Sequence, residues 1–130
     1  MILVDSNIIL DILTDDPEWS EWSFNTLESQ NTVLAINPII YAEVSIKFDT
    51  IELLDTSLAH FKKLPLPYES GFLAGKAFYH YKKDSGSKTS PLPDFYIGAH
   101  AAIAEIPLIT RDTRRYKNYF PTVKHIHPSS

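Results

Sequence analysis

Apolar residues in this chain gather in short unbroken runs rather than in alternation. Ile2-Leu3-Val4 is the first run and stops at Asp5-Ser6-Asn7. Thr32 to Ile36 is the second. Pro107-Leu108-Ile109-Thr110 is the third and stops at Arg111-Asp112. Val123 to Ile126 is the last. Short apolar runs without alternation suit strands buried on both faces. A fifth extended piece, Leu64-Pro65-Leu66-Pro67, carries prolines that belong at a sheet edge.

The segments between these runs read as helices. Ile8 to Leu13 suits a short one with Asn7 near its cap. Asp16-Pro17 is a cap followed by a first-turn proline and predicts a helix to about Ser29. Asn37-Pro38 repeats that signal and opens a helix through about Phe48. Thr50 to about Lys63 spaces Ile51, Leu54, Leu58 and Phe61 helically. Tyr68 or Glu69 to about Lys83 is another. Pro93-Asp94 opens a helix through about Glu105 made almost wholly of apolar and small residues, so it should be buried on most sides. Thr113 to Tyr119 is a short helix or turn, and Asp84 to Pro91 is a polar loop. Strands alternating with helices predict an α/β fold with a parallel sheet covered on both faces. Right-handed crossovers would place the strand ends on one rim, where ligands of open α/β sheets bind. Without repeats or a linker, residues 1–130 are expected to form a single domain.

Four carboxylates stand out against this pattern. Asp5 follows the first strand and Asp112 the third run. Glu43 interrupts a helical segment that otherwise reads as core, and should lie near that helix's amino-terminal end. Asp94 heads the most apolar helix. Each also has an ordinary structural reading. Asp5 and Asp94 can cap helices, Asp112 can belong to a turn, and Glu43 can pair with a lysine or arginine. Brought together, however, carboxylates repel and resist burial. A site that gathers several oxygen ligands suits magnesium or manganese rather than zinc. Such ions activate water for phosphodiester hydrolysis.

Composition narrows the field. The chain has no cysteine, which excludes disulfides and thiolate metal sites. Its net charge of −4 is uneven. Residues 1–65 carry 3 Lys/Arg against 11 Asp/Glu, and residues 66–130 carry 9 against 5. An acidic total does not advertise nucleic-acid binding, but a bound cation would reverse that locally. The longest apolar runs fall far short of the roughly 20 residues of a membrane span. The amino terminus lacks a basic n-region, so a cytoplasmic setting is expected.

Four motifs in order resemble those of the PIN domain family, with the length and layout of a VapC-type toxin. They are Ile2 to Leu10, Pro38 to Val44, Leu92 to Ala101 and Leu108 to Asp112. The resemblance implies a three-layer α/β/α sandwich with a five-stranded parallel sheet, and a magnesium-dependent endoribonuclease. Manganese is a plausible substitute. Asp5, Glu43, Asp94 and Asp112 would form the catalytic and metal-binding quartet, with Asp5 and Asp94 the foremost ligands. Asn7, Thr110 and Ser6 would support the site. The products would carry a 5′-phosphate and a free 3′-hydroxyl. The resemblance also implies a cognate antitoxin and a homodimer. Phe95-Tyr96 is bulkier than the family pattern and the loop over residues 84–91 is long, which bears on substrate shape.

Lys82, Lys83, Lys88, Arg111, Arg114 and Arg115 are candidates for RNA backbone contacts. Asp11, Asp15 and Asp16 read as helix surface or caps. His125 and His127 read as surface residues, since two histidines make a poor zinc site. Trp19, Trp22, Tyr79 and Tyr81 suit core, a partner surface or base stacking. A housekeeping RNA-processing nuclease and a non-catalytic RNA- or protein-binding module are the alternative functions.

Overall fold

Ile2–Val4 forms the central strand, β1, and all three residues are buried. In the computed structural model residues 1–84, 86–87 and 92–128 are described. Along the chain β1 is followed by α1 (Ser6–Leu13), α2 (Ser20–Glu28), β2 (Leu34–Ile36), α3 (Pro38–Ser45), α4 (Ile51–Ser57) and β3 (Lys62–Lys63). Then come α5 (Tyr68–Lys83), α6 (Pro93–Ala104), β4 (Leu108–Ile109), α7 (Arg114–Tyr119) and β5 (His125–Ile126). The described strands form one five-stranded parallel sheet in the order β3-β2-β1-β4-β5. Leu3 lies opposite both Ala35 and Leu108, and Val4 opposite Ile109. The chain therefore winds outward from β1 in both directions. The crevice that such a reversal opens lies beyond the carboxyl end of β1, where Asp5 stands.

The α/β parallel architecture expected from the apolar runs is present, and the differences lie at element ends. Asp5, rather than Asn7, caps α1, its carboxylate accepting from the Ser6 amide at 2.7 Å. The helix expected from Pro17 starts at Ser20. Asp16 instead ties a turn by accepting from the Glu18 and Trp19 amides, both at 2.9 Å. α3 stops at Ser45, whose hydroxyl donates back to the Ala42 carbonyl. Glu43 is therefore the sixth of eight helical residues, not near the beginning. The edge strand is Lys62–Lys63, earlier than the prolines suggested. Pairing continues as the Leu64 amide donates to the Ile36 carbonyl at 2.8 Å, and it ends at Pro65, which has no N–H to give. The residues of the 84–91 loop at 85 and 88–91 lie outside the described residues.

Helix α6 is as buried as its composition predicted: Phe95, Ile97, Gly98, Ala99, His100 and Ala101 are all inaccessible or nearly so. One buried polar link ties it to α3. Asn37 caps α3 by accepting from the Ile40 amide at 2.9 Å, and its side-chain amide lies 3.0 Å from His100 Nδ1. The amide donates there, so Nδ1 is the accepting nitrogen, and burial holds the His100 pKa down. α3 carries Glu43 and α6 carries Asp94, so this link registers two acidic residues against each other. Among the described residues no helix is long and apolar enough to cross a membrane.

Gly98 packs where an added methyl would run into the ring of Phe120, itself only 2% exposed. Helix propensity alone favours Gly98→Ala by about 1 kcal/mol. Overpacking should reverse the sign and leave the variant about 1–3 kcal/mol less stable. Urea denaturation followed by circular dichroism checks this, and a stabilised variant would contradict the packing.

Candidate active site

Asp5 is 4% exposed and surrounded by hydrogen-bond donors. Its Oδ1 accepts from the Ser6 amide at 2.7 Å and faces the Ser6 hydroxyl at 3.5 Å. Its Oδ2 accepts from Thr110 Oγ1 at 2.8 Å and from the Tyr116 hydroxyl at 2.9 Å. Even so, burial lifts its pKa from 3.8 to about 6. The bonds from Thr110 and Tyr116 oppose that rise, and the charges of Asp94 and Glu43 add to it.

The other acids gather around this one. Ser6 Oγ donates to Glu43 Oε1 at 2.9 Å, so a single serine spans Asp5 and Glu43. Glu43 is half-buried, and its pKa is raised first by burial and then by Asp94, against the pull of the Ser6 bond. Asp94, in the first turn of α6, also has a raised pKa. Burial dominates there, Arg115 opposes it, and Asp112 adds to it. Asp112 is exposed, and its Oδ1 accepts from the Arg114 amide at 3.2 Å, so the turn role foreseen for it is real alongside its charge on Asp94. The structure thus brings the four predicted acids into one electrostatic group at the end of β1.

Asn7, Thr110 and Ser6 lie against these acids and the turn after β4. Thr110 Oγ1 receives the Asn7 side-chain amide at 3.3 Å and the Asp112 amide at 3.2 Å while donating to Asp5. Asn7 Oδ1 receives the Arg111 amide at 3.3 Å. Asn7 and Thr110 therefore fasten the α1 start to the turn after β4. Tyr116 was missed by sequence reasoning. Its only signal was its place four residues beyond Asp112, on a helix whose buried face the sequence did not reveal. A buried tyrosine hydroxyl needs a partner, and this one has Asp5. Burial and the neighbouring acids push its own pKa well up, so it stays a donor.

The basic candidates divide. Arg111 is not available for a phosphate. Its Nε and Nη2 grip Asp11 Oδ2 and Oδ1 at 2.6 and 2.9 Å, and its guanidinium lies 5.2 Å from the Trp19 ring centroid. Asp11, read as surface, is 3% exposed and also accepts from Ser23 Oγ at 2.9 Å. A carboxylate so buried requires a paired charge, and Arg111 supplies it. Arg115 is inside the site, with Nη1 3.1 Å from Asp94 Oδ2. Arg114 is exposed. Lys82 Nζ donates to the Gly86 carbonyl at 2.9 Å, and Lys83 Nζ sits 5.1 Å from the Tyr79 centroid. Lys88 lies outside the described residues. Trp22 and Tyr81 pack against the core, and Tyr79 is exposed. His125 is not a surface residue as expected. It is half-buried beside Tyr116, its Nε2 has no partner among the described residues, and burial lowers its pKa.

In donor chemistry the group fits a hard divalent cation. Its ligands are all oxygens, and burial holds Asp5, Glu43 and Asp94 above their ordinary pKa, where a bound cation would favour the charged forms. As the side chains stand, no three acidic or histidine groups among the described residues close into an ion cage. The cluster is open, with Arg115 set against Asp94.

The family model described as PIN domain matches residues 2–121. No curated protein matches the chain. Solved structures do. VapBC-1 from nontypeable Haemophilus influenzae superposes with a TM-score of 0.75 at 18% identity, covering 100% of both chains. VapBC2 from Rickettsia felis, bound to a DNA fragment from its promoter, gives 0.74 at 20% identity, covering 98% of this chain and 99% of that one. A toxin-antitoxin complex from Klebsiella pneumoniae gives 0.66 at 24% identity, covering 95% of each. These likenesses are to the fold.

The raised pKa of Asp5 has a signed consequence for the metal-free protein. The folded chain keeps a proton on Asp5 at pH values where the unfolded chain has lost it. This contribution to stability is fully present below 3.8 and is lost as pH rises to about 6. A shift of that size corresponds to about 3 kcal/mol, at about 1.4 kcal/mol per unit. With EDTA present, stability should therefore decline as pH rises through this window, and Glu43 and Asp94 should steepen the decline. Denaturation midpoints measured across the range test the sign. Tyr116→Phe, which removes a bond favouring the carboxylate, should move the Asp5 titration seen by NMR to still higher pH.

Proposed function

The chain belongs to the PIN domain family, and on that premise we propose that it is a magnesium-dependent endoribonuclease acting as the toxin of a toxin-antitoxin pair. The observation that carries the catalytic reading is the group formed by Asp5, Glu43 and Asp94. Each is held above its ordinary pKa by burial and by neighbouring negative charge. Isolated, such a group only destabilises the fold. Beside a divalent cation it becomes a ligand set.

In this reading Asp5 and Asp94 are the foremost ligands, joined by Glu43 and Asp112. Magnesium, or manganese in its place, would polarise the scissile phosphate and lower the pKa of an attacking water. The chain's own contribution is positioning. Ser6 holds Asp5 Oδ1 and Glu43 Oε1 in a fixed relation. Thr110 and Tyr116 hold Asp5 Oδ2, and Asn7 keeps Thr110 in place. Glu43, half-buried and with a raised pKa, would take the proton of the attacking water as that water adds in line to phosphorus.

The toxin reading draws on the solved structures with this fold, whose descriptions name VapBC proteins and a toxin-antitoxin complex. A protein antitoxin, a homodimer and a cytoplasmic location belong to the same proposal.

The test is cleavage of end-labelled small RNA by purified protein freed of any antitoxin. With magnesium or manganese the protein should make discrete cuts, and EDTA should abolish them. Asp94→Asn should lower the rate at least about 100-fold, beyond the roughly 10–100-fold typical of losing a mere support of a metal ligand. No cutting by folded, metal-supplied protein would favour a non-catalytic binding module. Cutting that survives in the variant would remove Asp94 from the site.

A further inference from the structure

The two arginines near the site are held in opposite ways. Arg111 meets Asp11 through two contacts, 2.6 and 2.9 Å, on an acid only 4% exposed at its side chain. That is the geometry of a permanent pair. Arg115 meets Asp94 end-on, through one contact at 3.1 Å, and both side chains remain about one-third exposed, 31% and 34%. Its guanidinium also lies over two aromatic rings. The Tyr81 and Phe95 ring centroids lie 5.5 and 5.6 Å from the guanidinium carbon. Those rings belong to an aromatic cluster with Phe78 and Tyr119. Arg115 can therefore give up Asp94 without leaving the site. Five N–H donors are available on a guanidinium, and this ion pair uses one.

Asp94 Oδ2 cannot be fully shared between a guanidinium and a divalent cation, which also repel each other. We propose that Arg115 is the resting counter-ion of Asp94, displaced from Oδ2 when the metal binds and then used, still over the rings of Tyr81 and Phe95, to grip the phosphodiester of the RNA. A planar fork freed from one carboxylate matches the paired oxygens of a phosphate. The chain thereby keeps a positive charge at the site in both states. This rests on the nuclease reading above and adds an ordered exchange to it: metal first, phosphate second.

The experiment measures manganese affinity by calorimetry without RNA, and then KM and kcat for a single-stranded RNA at saturating manganese. Arg115→Gln removes the competing charge and should bind manganese roughly three- to tenfold more tightly. Its KM for RNA should rise about tenfold or more, since a charge-assisted phosphate contact is lost. Arg115→Lys keeps the charge and loses the fork. It should hold manganese about as the parent does and still show the raised KM, which keeps the test decisive if the glutamine variant folds poorly. Manganese affinity that is unchanged or weaker in Arg115→Gln, in a parent that binds manganese and cuts RNA, overturns this inference and leaves the nuclease standing. A parent that neither binds manganese nor cuts RNA removes both.

Discussion

A carboxylate buried at the end of a two-sided apolar strand is the feature on which this structure turns. β1 can be central only because Ile2, Leu3 and Val4 are apolar on both faces, and Asp5 follows with no room to reach solvent. A charge so placed must be met by donors or a cation. Ser6 meets it from α1, Thr110 from the turn after β4, and Tyr116 from α7. Each of these elements is consequently held at the carboxyl edge of the sheet. The donors still leave the pKa at about 6, because burial outweighs them and the neighbouring carboxylates add to it. The same arrangement that organises the fold leaves a deficit of positive charge at one point, and the proposed chemistry occupies that deficit.

The parts of this arrangement legible in the sequence were those written in consecutive residues. The run into Asp5, the Asn37-Pro38 cap and the small-residue helix after Pro93 each carry their signal locally, and each element formed. The four acids were visible because each broke a local pattern. What could not be read depends on distant partners. Asp11 looks like any helix-surface acid until Arg111, a hundred residues later, closes on it. Tyr116 looks like one aromatic among several until burial of α7 turns its hydroxyl toward Asp5. Arg115 was visible as a basic residue, but its resting place on Asp94 was not. Helix ends moved for a related reason. Asp16 satisfied backbone groups in a turn that competed with a longer helix, and the Ser45 hydroxyl bonded back to the Ala42 carbonyl in the last turn of α3.

The link between Asn37 and His100 shows a second level of organisation. Neither residue belongs to the acidic group, yet the pair crosses from the helix of Glu43 to the helix of Asp94. An asparagine that both caps its own helix and donates to a buried imidazole leaves little freedom for one helix to slide along the other. Precision at the site is thus set some distance behind it, by a contact with no charge of its own.

The placement of β1 also governs when the molecule acquires its site. The central strand is synthesised before its neighbour β4, and the Thr110 that binds Asp5 follows about a hundred residues later. Parallel pairing across such a separation forms slowly, because the intervening chain must be closed into a loop first. A ribosome-bound chain that has exposed Asp5, Glu43 and even Asp94 still lacks Thr110, Asp112, Arg115 and Tyr116. Three acids are then present without the residues that hold them in register. The order in which the chain emerges keeps the nascent protein incomplete at its centre until Tyr116 has been added.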